Sequence, residues 1–188
     1  MAANTASAAI PSPAAPRVRT HEGELILGEP IGRGGEGMVY AVVNRPEIAA
    51  KVYLQPQSPE KTAKLEAMVR LQSPILAGLT AWPQELLRPH GASDAVIGFL
   101  MPRIAAAQDI HTLYSPRSRK QSFPKADWRF LVRAASNLAR AFAVVHDSGT
   151  VVGDVNHGSI MVTNQATVTL IDCDSFQITR DGATYLCT

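Results

Sequence analysis

The chain has 188 residues, 46% of them apolar, with 18 basic and 16 acidic side chains for a formal charge of +2; this length holds one domain or two small lobes, and the near-neutral balance argues against nucleic acid or an anionic membrane as partner. Two cysteines, Cys173 and Cys187, form no CxxC pair, and the five histidines lack metal-ligand spacing, which argues against a disulfide framework or zinc site and fits a reducing cytoplasm. No apolar run approaches the ~20 residues needed to span a bilayer, and Pro11, Pro13 and Pro16 interrupt what would be the apolar stretch of a signal peptide.

Residues 1–21 are rich in Ala, Ser and Pro and read as a disordered tail. From Gly23 the pattern changes. "ELILGEPI" reads as a strand, "GRGGEG" as a glycine loop, "MVYAVV" as a second strand and "NRPE" as a turn. "IAAKVYL" is a third strand with period-2 alternation: Ile48, Ala50, Val52 and Leu54 share one face, and Ala49, Lys51 and Tyr53 the other.

"SPEKTAKLEAMVRL" predicts a helix capped by Ser58, with Pro59 in its first turn and Leu65, Met68, Val69 and Gln72 across one broad face. A second strand pair is expected in "QELLRPHGASDAVIGFLMPRI", turning at "GASD". Residues 115–125, "SPRSRKQSFPK", read as a solvated basic loop. A long helix follows in "KADWRFLVRAASNLARAFAVVHDSG", with Phe130, Leu131, Ala134, Leu138, Phe142 and Val145 at helical spacing and an end at Asp147, Ser148 and Gly149. "SIMV" and "TVTLI" predict short strands around a turn at Thr163 to Ala166, and "FQIT" and "ATYLC" a last hairpin across Arg180, Asp181 and Gly182.

Strands, helix, strands, long helix, small strands make an α+β order. The glycine loop lies between two strands, whereas a dinucleotide fold needs it between a strand and a helix, and no Gly-Lys-Ser/Thr follows for a Walker loop. Gly32, Gly34, Gly35 and Gly37, then Val39, Lys51 on the third strand in "IAAKVY", "VVGDVNHGSIMV" and "LIDCDSF" follow one another in a fixed order. This order resembles the protein kinases, and more narrowly the bacterial branch of eukaryotic-like serine/threonine kinases, in a divergent form whose loops read Gly-Asp-Val-Asn and Ile-Asp-Cys-Asp-Ser-Phe.

The resemblance implies a protein-kinase-like fold: an antiparallel-sheet N-lobe with one helix and a hinge over residues 22–104, then part of a mainly helical C-lobe over 105–188. It implies ATP and Mg²⁺ as cofactors. Glycines let backbone N–H groups approach phosphate without a Cβ in the way. Ile31, Gly32, Gly34, Gly35, Gly37, Val39 and Ala49 would enclose the nucleotide, with Met101 as gatekeeper and Ile104 in the hinge. Lys51 would hold the α/β-phosphates, and Glu66 is the expected partner of Lys51. Asp154 takes the position of the catalytic base and Asp172 that of the metal-binding aspartate, 18 residues later.

Several positions depart from the pattern. Val152 and Gly153 replace His and Arg, Asn156 replaces Lys, Ser159 stands at the second metal-binding position, Cys173 replaces Phe and Asp174 replaces Gly. Phosphoryl transfer is mainly positioning and charge neutralisation, so the retained set predicts slow turnover with a protein hydroxyl as acceptor. The alternative is a pseudokinase that works as a nucleotide-binding or interaction module. The sequence stops sixteen residues past Asp172 without an Ala-Pro-Glu segment. A large lobe limited to these residues would leave the apolar face of residues 128 to 146 exposed, to be covered by a partner.

Overall fold

The structure is a computed structural model that describes residues 16–187. Among the described residues, six strands close into a barrel in the order β1-β2-β3-β4-β6-β5: β1 (Arg17–Arg19), β2 (Glu24–Arg33), β3 (Gly37–Val42), β4 (Arg45–Tyr53), β5 (Glu85–Pro89) and β6 (Gly98–Pro102). All the pairings are antiparallel. The tail expected over 1–21 therefore ends earlier; its first fifteen residues lie outside the described part. Arg17–Arg19 is a strand because Val18, flanked by two arginines, drops into the barrel core while β1 pairs with both β2 and β5 and closes the sheet. Three residues of alternation were too short to stand out beside an Ala/Pro-rich neighbourhood.

The alternation along β4 sorts its residues as expected. Ile48 and Ala50 join Val18, Leu27, Val42, Leu87 and Leu100 inside the barrel, and Ala49, Lys51 and Tyr53 face the other way. The turn before β4 is tighter than "NRPE": Asn44 adopts a left-handed conformation (φ 64°) that lets the strand begin at Arg45.

Helix α1 (Pro59–Leu71) starts where Ser58 caps it, its hydroxyl accepting from Lys61 N–H at 3.1 Å. It bridges two cores. Leu65 packs with Tyr53, Leu86, Val96 and Phe99 under the barrel. Ala67 and Met68 belong to a second, larger core with Trp82, Leu113, Val145, Val162, Leu170 and Phe176. Trp82, fully buried, donates its indole N–H to Met68 O at 2.9 Å and fixes that junction. A short helix α2 (Pro74–Leu79), capped by Ser73, carries the chain across, and Ala81 N–H bonds Leu170 O at 2.8 Å. Residues 73–82 thus pack with the second core, although they precede β5 and β6 in the chain.

The second half contains β7 (Ala107–Asp109), α3 (Ile110–Tyr114), α4 (Pro116–Ser122), α5 (Trp128–Asp147), β8 (Ile160–Thr163), β9 (Val168–Leu170), β10 (Ile178–Arg180) and β11 (Ala183–Tyr185). β7, β8 and β9 form one small antiparallel sheet, and β10 and β11 a hairpin turning at Asp181 and Gly182, both left-handed. The basic loop expected over 115–125 is largely helix α4, begun by Pro116 in its first turn. Helix α5 is capped by Asp127 and stops at Ser148 and left-handed Gly149. Its apolar face is only partly bare. Ala134, Ala141 and Val145 are buried, and Phe130, Leu131, Leu138 and Phe142 pack against the same core, while Trp128 is 76% exposed. No helix among the described residues is long and apolar enough to cross a membrane.

One glycine sets how closely β4 and β6 approach. A Cβ at Gly98 would collide with the carbonyl oxygen of Lys51, which is backbone and cannot swing aside. Gly98→Ala is expected to destabilise the chain by about 2 kcal/mol or more in urea unfolding. Gly78→Ala, in α2 with open space around it, is expected to stabilise by about 0.5–1 kcal/mol.

Candidate functional site

The site forms between the open face of β4 and the turns that flank β8 and β9. Lys51 lies opposite Val39 on β3 and Phe99 on β6. Strands on both sides leave its side chain no route but outward from the barrel, across the face shared with Ala49 and Tyr53. Its ammonium stands 5.8 Å from the centre of the Phe99 ring. It donates to Asp174 Oδ1 at 2.7 Å and Oδ2 at 2.9 Å, and to Asp172 Oδ1 at 3.2 Å.

Strand β2 reaches the glycine loop through two register irregularities, between Leu27 and Pro30 and between Pro30 and Gly32. Gly34 N–H closes the loop on Gly37 O at 2.9 Å. One hollow of about 410 Å³ is walled by Ile31, Gly32, Val39, Ala49, Met101 and Ile104 from the barrel side, and by Met161 and Ile171 from below. A second, of about 200 Å³, adjoins it and takes in Gly34, Gly35, Gly37, Asp154, Asn156 and Ser159. Both share Gly34, Val39, Lys51, Asp172 and Asp174. The first is mainly apolar, the second lined by glycine backbone, a cation and carboxylates. That is the division a nucleotide needs between base and phosphates.

Asp154 sits in the loop after α5. Asn156 donates its amide to Asp154 Oδ2 at 2.8 Å and accepts Gly158 N–H at 2.8 Å on its own carbonyl. It thereby holds the carboxylate and caps the 3-10 turn His157–Ser159. The Ser159 hydroxyl donates towards Asn156 O at 2.9 Å and Asp154 O at 3.3 Å and accepts Asn156 N–H at 3.3 Å. Expected as a metal ligand, Ser159 lines the cleft but acts here as the reciprocal half of a capping box. Gly153 is also explained: a Cβ there would collide with Cys187, whose segment crosses the loop and gives the Leu186 carbonyl to Lys64 Nζ at 2.8 Å.

Asp172 ends the strand segment in a left-handed conformation (φ 57°, ψ 38°) that aspartate tolerates better than most residues. The turn sends its side chain, 60% exposed, into the cleft. Mg²⁺ is commonly held by one or two carboxylates together with phosphates, and Asp172 fits that requirement. Among the described residues no cluster of three His, Cys, Asp or Glu side chains could hold a metal by itself. Cys173 is buried in the core below, where burial pushes its thiol pKa up.

Asp174 is the least accessible charge of the site, with a side chain 2% exposed. Besides Lys51 it accepts the Tyr53 hydroxyl on Oδ2 at 2.7 Å, and Lys61 Nζ lies 3.7 Å from the same oxygen. Burial opposes its ionisation, but Lys51, Tyr53 and Lys61 outweigh burial and hold its pKa below the ordinary carboxylate value. Burial likewise opposes the charge on Lys51, and Asp174 with Asp172 raises its pKa in spite of it.

All but one of the residues expected to converge line this cleft. The exception is Glu66. α1 turns Lys61, Lys64, Leu65 and Met68 inward, and Glu66, roughly 100° round from Leu65, lines a different hollow with Leu54, Pro59 and Val96. Lys51 takes its carboxylates from residues 172 and 174 instead. Sequence reasoning missed Asp174, Tyr53, Lys61 and Phe99 as parts of the site. Tyr53 was signalled by its place on the Lys51 face; Asp174 was visible only as an acid where the resemblance puts glycine.

Barrel, bridging helix, cleft and paired aspartate turns together are a protein-kinase fold. No family model matches the chain. Protein kinase YegI of Escherichia coli strain K12 is 44% identical over 172 residues, 91% of this chain and 26% of that protein. YegI of Escherichia coli O157:H7 is 43% identical over 173 residues, 92% and 27% respectively. The chain thus spans about a quarter of the length of these curated relatives. Among solved structures, the ROP18 kinase domain in complex with AMP-PNP and sucrose superposes with a TM-score of 0.61 at 19% identity, over 92% of this chain and 62% of that one. ROP2 from Toxoplasma gondii, described as having a protein-kinase fold and no enzymatic activity, superposes at 0.54 with 17% identity, over 92% and 56%.

Lys64, buried on the inner face of α1, has its pKa pushed down to about 8 by burial and by the charge of Lys61. The unfolded chain then binds the extra proton between about pH 8 and the ordinary lysine value of 10.5, so Lys64 costs stability below that window and the cost fades as pH rises through it. Lys64→Met is expected to be more stable than wild type by about 1–2 kcal/mol at pH 7. The advantage should shrink steadily in melts from pH 8 to 10.5.

Proposed function

We propose that the chain is the nucleotide-binding and phosphoryl-transfer part of an ATP-dependent protein kinase of serine/threonine type. The observation that carries this reading is the convergence of the glycine loop, Lys51, Asp154 and Asp172 on one cleft, from four separate parts of the chain. The names of the relatives and the AMP-PNP in the ROP18 complex support it.

In this reading Ile31, Val39, Ala49 and Met101 enclose the base, and the hinge backbone near Ile104 meets its edge. The glycine loop lays backbone N–H groups along the phosphates, and Lys51 neutralises their charge. Mg²⁺, when bound with the nucleotide at Asp172, supplies further charge neutralisation. Asp154, held by the Asn156 amide, orients the acceptor hydroxyl and receives its proton. With Ser159 occupied in its loop, the second metal position of the usual pattern lacks its ligand, so turnover is slow.

One observation favours a second reading, binding without transfer: Lys51 and Asp172 are joined to each other at 3.2 Å, as a phosphate cation and a metal ligand need not be. Two measurements separate the readings. Mg·ATP should raise the melting temperature of the 188-residue chain, Lys51→Met should weaken that binding tenfold or more, and Asp172→Asn should abolish its dependence on Mg²⁺. Transfer from γ-labelled ATP to a generic protein should fall at least 100-fold in Asp154→Asn with binding retained. Binding with no transfer in wild type selects the second reading, and no binding at all refutes both.

A further inference from the structure

We propose that Asp174 is the positioning residue for Lys51, the role the sequence pattern assigns to an acid on α1, so that the phosphate-binding lysine is anchored by the segment carrying Asp172 rather than by the helix. The inference rests on the nucleotide-site reading above for its functional meaning, but its geometry is independent of that reading.

Three observations support it. Lys51 Nζ meets both oxygens of Asp174, at 2.7 and 2.9 Å, closer than it meets Asp172 at 3.2 Å. Asp174 is enclosed while Asp172 is open to solvent. Of the two carboxylates, the enclosed one is built as a permanent anchor, and the open one is available to a metal or a phosphate-bound cation. The Tyr53 hydroxyl, from the same face of β4 as Lys51, adds a second bond from that strand to the same carboxylate.

The third observation is the charge of α1. Its inward-facing ionisable groups are Lys61 and Lys64, cations where the sequence pattern calls for an acid. Lys61 Nζ stands 3.7 Å from Asp174 Oδ2 and 3.4 Å from Glu36 Oε2 of the glycine loop. A row of alternating charges therefore runs from the glycine loop through α1 and Asp174 to β4. An acid at 174 and a cation at 61 exchange the helix carboxylate of the usual pattern for one in the turn, and the helix is linked to Lys51 only through Asp174. The same exchange accounts for aspartate where the sequence pattern has glycine: a carboxylate in that turn reaches Lys51 and Tyr53 together.

Double-mutant cycles on the nucleotide-free chain test the pairing directly. Asp174→Asn and Lys51→Met should each lower the urea midpoint, and the double variant should fall no further than the worse single, because either substitution alone leaves the other charge buried without its nearest ionic partner. Lys51→Met with Glu66→Gln should be additive. With Mg·ATP in calorimetry, Asp174→Asn should weaken binding tenfold or more, Asp174→Glu should recover part of that loss, and Glu66→Gln should change it less than twofold. If Asp174→Asn is too unstable to purify, Asp174→Glu and the neutral double variant carry the comparison. Additive effects at 51 and 174, coupling between 51 and 66, or unchanged Mg·ATP affinity in Asp174→Asn would overturn the proposal. Absence of nucleotide binding in wild type refutes the site reading instead, and the urea cycles still decide the pairing.

Discussion

A carboxylate with almost no contact with water must find cations, and the structure is arranged around that requirement. Ionised groups cost several kcal/mol each to bury, and Asp174 meets the cost through Lys51, Tyr53 and Lys61. Those partners come from the centre of the barrel sheet and from the bridging helix, while Asp174 belongs to the turn after β9. Satisfying one buried charge therefore fixes three elements against one another. It also joins the two cores at a point more than a hundred residues apart in the chain.

Apolar packing prepares the same junction from below. Leu65 and Met68 of α1 enter different cores, and Trp82 clamps the helix backbone at Met68. Burying each such side chain is worth about 1.5–3 kcal/mol, enough to orient the helix before its charges are counted. Gly98 lets β6 approach the backbone of Lys51, which sets where that side chain leaves the sheet. The cleft is thus the seam of two packed bodies.

The departures from the usual kinase pattern acquire local reasons. Gly153 makes way for Cys187. Ser159 and Asn156 close the turn that holds Asp154, with the Asn156 amide donating to its carboxylate. Val152 and Cys173, at two further changed positions, belong to the larger core.

Much of this was legible in the residues. Period-2 alternation around Lys51, the cap at Ser58, the end of α5 at Gly149 and the Asp-Gly turn at 181–182 are local events, set by sterics and hydrogen bonds within a few residues, and the structure repeats them. The glycine loop between two strands and the order of Lys51, Asp154 and Asp172 were likewise enough to draw the outline of the cleft. Strand β1 was not legible, because a three-residue strand declares itself only through what it packs against, and helix α4, which buries none of its side chains, carries no apolar periodicity to mark it. Nor could the sequence choose the partner of Lys51. Glu66 and Asp174 are both acids at plausible positions, and the choice turns on which face α1 presents inward. That face is decided by the fit of Leu65 and Met68 into two cores, a balance of long-range packing that no local pattern contains.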